Sequence, residues 1–201
     1  VLAALMAEKG VSGIHSLFEG RAGIFNTYFG GGYEREAMLE GLGTDYRGAG
    51  MLYKPWPAVG ISHTYIHAAI ELMKEHRLQA GQVERIEVFI GDFQKEMCEP
   101  LDSRRAPATA VDAKFSLPFL VALGVLKGGV GLADFSESGL RDAEVLAMAQ
   151  RVHPVPDSSA DWKDKSPIGR VGLVLRDGRR LERRGDEVPG SPQAPTGWDA
   201  L

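Results

Sequence analysis

The chain has a single cysteine, Cys98, in 201 residues. No internal disulfide is possible, and no cysteine cluster is available for zinc or iron–sulfur ligation, which favours a cytoplasmic protein. Charge of either sign is also not in excess: the formal net charge is −4 and the pI near 5.8, so no electrostatic footprint for nucleic acid is present beyond the locally basic run from Arg176 to Arg184. There is no low-complexity tract and no internal repeat. The dinucleotide fingerprint is missing, and the triple glycine at 30–32 lacks the following Lys-Ser/Thr of a phosphate loop. The opening VLAALMAEKG is apolar but short and carries no basic leader, so it reads as the end of a helix stopped at Gly10 rather than as a signal or a membrane span. Neither a membrane nor a nucleic acid is expected as a partner.

What is there is an ordinary globular composition, 44% apolar and 25% charged, enough for one core. Residues 1–10 read as a helix end belonging to a preceding helical domain, 11–187 as one α+β domain, and 188–201, rich in Pro, Gly and Ser, as an exit linker. A short helix is expected over 33–42, and strands at about 46–53, 83–90, 171–175 and 179–184. Asp177-Gly178 makes the last two a hairpin. The segment VERIEVFI at 83–90 alternates imperfectly, as a strand with one buried face does. Pro118 inside the apolar run 110–126 is tolerated only in a first turn, which places a helix start near Ser116 as its cap. Another helix spans 142–152. The sum is an α+β fold: a small, mainly antiparallel sheet with helices packed on one face.

The chemistry concentrates in LYKPWPAVGISHTYIHAAIELM, from Leu52 to Met73. Lys54-Pro55 and Trp56-Pro57 force an extended, stiff arm. After Gly60, Ser62 is placed as N-cap of a helix running to about Arg77, with Ile66, Ala69, Ile70 and Met73 on one face. A lysine beside the positive end of a helix suits a carboxylate or phosphate. By composition alone Lys54 is equally a solvated surface lysine on an arm that turns the chain into a helix. His63 and His67 stand four apart, but no glutamate follows the first and no third ligand is evident, so no metal is expected. Cys98, between Met97 and Pro100 with no basic partner in view, reads as an inert thiol.

The Lys-Pro-aromatic-Pro run followed by small residues, a histidine and a helix resembles the signature of the MmgE/PrpD family, which includes 2-methylcitrate dehydratases, cis-aconitate decarboxylases and an iminodisuccinate epimerase. Further resemblance lies in Glu19, Gly20, Gly23 and Phe25, in DAKFSLPF at 112–119, in 143–152 and in the turn 189–192. The resemblance implies the smaller α+β domain of that family, with a helical domain built from chain before and after it. It also implies a homodimer, no cofactor, and a di- or tricarboxylate substrate. By position Lys54 matches the family's substrate-facing lysine, and Ser62, His63 and Ser116 are the accompanying substrate-binding candidates. The remaining catalytic residues would belong to the helical domain, leaving half a site here. Two positions depart from the family: Val59 stands where relatives often carry His or Cys, and Phe119 where some decarboxylases have Tyr. Neither side chain can exchange a proton. A 2-methylcitrate dehydratase-like lyase is therefore the first expectation, with an epimerase or decarboxylase, or a non-catalytic binding or dimerisation module, as alternatives.

Overall fold

The protein is described by a computed structural model covering residues 1–163 and 166–197. It divides into two compact units, 1–49 and 50–201. The first holds three short helices, α1 (Leu2–Glu8), α2 (Ile24–Phe29) and α3 (Arg35–Leu39). Among its described residues the one buried hydrophobic side chain is Phe25, stacked on Tyr33 with ring centroids 3.9 Å apart. Helix α3 is shorter than the expected 33–42.

The second unit contains α4 (Ser62–Glu75), β1 (Val83–Ile90), α5 (Asp92–Glu96), α6 (Leu101–Arg105), α7 (Ala110–Lys114), α8 (Leu117–Lys127), α9 (Ala143–Ala149), β2 (Val152–Pro156), β3 (Arg170–Leu175) and β4 (Arg180–Arg184). The sheet order is β2-β1-β3-β4, with β1 parallel to β2 and the other two pairings antiparallel. The α+β architecture is as the sequence implies. The register shifts between Val83 and Arg85, a bulge that explains the imperfect alternation of VERIEVFI.

One face of the sheet is apolar. Ile86, Val88, Val152, Val171 and Leu173 are fully buried and join one cluster with α4 and α8. The opposite face is charged. There Glu87, only 6% exposed, pairs with Arg180 and with Arg85 at 3.6 Å. Arg170 lies 3.6 Å over the Phe89 ring while binding Asp157 at 2.6 Å and Glu182 at 2.5 Å. The basic run is spent on such pairs: Arg179 with Asp177, Arg183 with Glu75 and Arg184 with Asp186.

One expected strand is corrected, and one strand is new. Residues 46–53 form no strand; a 3₁₀ turn occupies Arg47–Gly50, and Tyr53 N–H donates to Gly190 O at 3.0 Å without a ladder. The parallel strand β2 (VHPVP) takes the place beside β1 instead. Its two prolines argue against a strand in sequence and are accommodated because β2 is an edge. Arg151 O and Asp157 N–H bond to β1, so the backbone polar groups of the even-numbered residues of β2 point away from β1. Outward, Pro154 and Pro156 offer no N–H, and Val152 O is already taken by the Arg105 guanidinium at 2.6 Å.

Of the expected exit linker, the described part is seated. Val188 and Ser191 are buried, and Gly190, at φ +86°, lies against Tyr53 O. Residues 198–201 of that segment lie outside the described residues.

The first turn of α4 sits directly on the open end of the β3–β4 hairpin. Gly169 and Gly185 flank it and join by Gly185 N–H to Gly169 O at 2.9 Å. A Cβ on Gly185 would overlap the Thr64 carbonyl, and one on Gly169 the Tyr65 ring. Gly185→Ala therefore lowers unfolding free energy by about 2 kcal/mol or more, since main chain must move. Gly81→Ala, with open space around it, leaves stability unchanged or raises it by up to about 1 kcal/mol. Urea midpoints for the two variants check this.

Candidate functional site

The X-Pro arm and the start of α4 wrap around a single carbonyl. Lys54 Nζ donates to Ala58 O at 3.1 Å, and His63 Nε2 faces the same oxygen at 3.4 Å. A carbonyl only accepts, so the ring nitrogen facing it carries the proton and Nδ1 keeps its lone pair. Nδ1 is buried and has no hydrogen-bond partner. The Trp56 ring meets the imidazole edge-on at 5.5 Å. His63 is 1% exposed, whereas Lys54 is exposed and forms no ion pair among the described residues.

Burial holds the pKa of His63 below its ordinary 6.5; the carbonyls of Ala58 and Trp56 oppose the shift, and the Lys54 charge adds to it. The imidazole is neutral at pH 7.

Ser62 is not the N-cap. Ile61 precedes the helix and Ser62 is its first residue, fully buried, with its hydroxyl donating back to Val59 O at 2.7 Å. Ser62 N–H and His63 N–H are likewise used, on Val59 O and Gly60 O at 3.0 and 3.1 Å. The helix start is thus partly closed to a ligand, because the tight turn at Val59-Gly60 consumes donors that a looser entry would leave free.

Ser116 is elsewhere. Fully buried, it caps α8 by accepting from Phe119 N–H at 3.1 Å, and its hydroxyl donates to Arg104 O. The capping role and the helix start are as the sequence implies, with Pro118 in the first turn. The one hydroxyl proton is thereby committed to the main chain. Phe119 is fully buried in the core.

Beyond His63 opens a half-open cleft of about 510 Å³. Val59, Ile61, Leu52, Ile168 and Val188 contribute to its lining. Phe93 and Trp162 also line it, their ring centroids 5.5 Å apart. A carboxylate clasp holds that pair together. Asp161 accepts from Asp92 N–H at 3.0 Å, and Asp92 accepts from Trp162 N–H and Phe93 N–H, both at 2.7 Å. The N–H donors of Trp162 and then Phe93 lower the Asp92 pKa. Sequence reasoning missed this wall because Phe93 and Trp162 are 69 positions apart. The only local signal is an aspartate beside each aromatic.

His67, one turn after His63, lies in a separate hollow with Glu71 and Arg183. Among the described residues no three His, Cys, Asp or Glu come together as a metal site. Cys98 is fully buried, and burial pushes its thiol up to about 12. No helix among the described residues is long and apolar enough to cross a membrane.

The family model described as the MmgE/PrpD C-terminal domain matches residues 56–201. The chain belongs to the MmgE/PrpD family. A search of curated proteins found no match. The matched region begins at Trp56, within the arm, and takes in α4, the sheet and the described part of the closing segment, so the MmgE/PrpD domain coincides with the second unit apart from its first residues.

His67 and His153, like His63, have pKa values lowered chiefly by burial. A depressed histidine takes its proton later than in the unfolded chain. As pH falls through about 6.5 the unfolded state gains protons first, and stability drops. Thermal midpoints are expected to fall steadily from pH 7.5 to 5.5, with a shallower slope in His63→Gln. A midpoint that is flat or rises toward acid contradicts the burial argument.

Proposed function

We propose that this MmgE/PrpD domain forms the small-domain wall of a lyase cleft that binds a di- or tricarboxylate and removes water from it, as a 2-methylcitrate dehydratase does. The observation that carries the reading is the shared Ala58 carbonyl. It holds a lysine ammonium and a neutral imidazole on one oxygen, at 3.1 and 3.4 Å, with the ammonium exposed.

Removing a proton next to a carboxylate builds negative charge on that carboxylate, and a fixed cation lowers the barrier by stabilising it as it develops. Lys54 supplies that cation without a competing carboxylate among the described residues. His63, neutral and held on the same carbonyl, adds no second charge and leaves the carboxylate to the lysine. The acid and base that move the reacting protons would come from a helical domain, and the same reading has the working enzyme as a cytoplasmic homodimer without metal or organic cofactor. Val59 stands in the cleft lining and brings no proton-transfer group to it.

Loss of water from 2-methylcitrate, followed by the absorbance of the unsaturated product, tests the reading. The polypeptide is assayed alone and mixed with the helical segments of an MmgE/PrpD relative. Activity is expected in the mixture, and Lys54→Met, at an exposed position, should lower kcat/KM at least about a hundredfold with the circular dichroism melt unchanged. Near-normal turnover by Lys54→Met overturns the role of the lysine. A well-folded mixture without turnover overturns the dehydratase assignment.

A further inference from the structure

We propose that the cleft beside His63 receives a bulky hydrocarbon substituent of the substrate, so that the acid taken by this protein is an alkyl- or aryl-substituted polycarboxylate. The inference rests on the reading above, in which Lys54 holds a carboxylate of that acid.

The chemistry of the lining carries it. Val59, Ile61, Leu52, Pro167, Ile168 and Val188 present hydrocarbon, and the Phe93–Trp162 pair adds two half-exposed rings. No lysine, arginine or carboxylate occurs among the described lining residues. Of the polar side chains, Ser166 brings a neutral hydroxyl and Thr64 is spent: its hydroxyl donates to Ile61 O at 3.2 Å and accepts from Gly169 N–H at 2.8 Å. His63 is neutral and so offers a carboxylate no cation.

A carboxylate moved into such a space loses hydration and gains no cation from the described lining, whereas a hydrocarbon group sheds ordered water at no polar cost. Size points the same way. An apolar cavity of roughly 150 Å³ suffices for benzene, and the cleft measures about 510 Å³. A methyl group would leave most of it to water.

Lys54 is not among the lining residues, but it shares the Ala58 carbonyl with His63, which is. The cation thus sits beside a residue of the apolar cleft, and a ligand with a carboxylate at one end and a hydrocarbon branch at the other is matched to the pair. The Asp92–Asp161 clasp fixes the aromatic pair before any ligand arrives, so little ordering is left to do on binding.

Calorimetric titration of the full chain with succinate, 2-methylsuccinate, 2-butylsuccinate and 2-benzylsuccinate tests the proposal. Each buried methylene is expected to tighten binding about fourfold, and the benzyl compound should bind at least about tenfold tighter than succinate. Trp162→Ala and, separately, Ile168→Ser should bring the benzyl-to-succinate ratio toward one; both side chains are substantially exposed, so the fold is retained. Equal affinity across the series, weaker binding of the larger acids, or no binding of any of them overturns the inference. Lys54→Met distinguishes the two readings. It should weaken every acid by a similar factor and preserve the ratio. If it changes nothing while the ratio persists, the lysine's role fails and the apolar cleft stands.

Discussion

The seating of the first turn of α4 on the end of the sheet is the constraint on which the rest depends. Two consecutive residues make it. Thr64 accepts Gly169 N–H, and its carbonyl lies against Gly185. The Tyr65 hydroxyl donates to Phe89 O at 2.6 Å, at the end of β1. His63 immediately precedes them, so its imidazole inherits a fixed position from contacts made by its neighbours. Tyr65 is fully buried, and burial drives its hydroxyl pKa far up, so at neutral pH it is a proton donor. Two glycines far along the chain are needed because no side chain fits between a helix and a sheet this close.

That seating converts a local sequence feature into a directed one. The prolines stiffen the arm, but stiffness alone points nowhere. The Val59 N–H bond to Lys114 O at 3.1 Å ties the arm to α7, and the fixed helix start supplies the other support. Between the two, the Ala58 carbonyl is turned toward both Lys54 and His63. One peptide oxygen thereby does the work of an anchoring carboxylate without cancelling the lysine's charge. The same turn uses up the first N–H groups of the helix, so charge at this site comes from the lysine side chain and not from the helix end.

Legibility in the sequence followed the range of the interactions. The hairpin around Asp177-Gly178, the Ser116 cap with Pro118 behind it, and β1 are written in short windows, and each is where the sequence implies. β2 was hidden because two prolines in five residues contradict a strand unless its neighbours are known, and its partner β1 lies more than 60 residues earlier. Tyr46 to Tyr53 carries strand-forming residues yet finds no ladder, since the place beside β1 is filled from elsewhere. Lys54 and His63 were found as a pair because five connected residues fold back on themselves. Ser116 resembled a site residue for the same local reason that makes it a helix cap. The Phe93–Trp162 wall has no local signature at all, because its assembly depends on an aspartate clasp between distant loops.

The two prolines of β2 also give the sheet a direction of growth. An extended segment approaching that side would find Pro154 and Pro156 without hydrogens to offer and the Val152 oxygen already occupied by Arg105. The β4 side has no such block among the described residues. Nor does it suit a second copy of itself: antiparallel pairing centred on Glu182 would set Glu182 against Glu182 and Arg180 against Arg184, like charge facing like. The domain is therefore protected from polymerising through its strands by two unrelated devices, missing donors at one border and mismatched charge at the other. Strand addition from a protein of another sequence is left the β4 border alone.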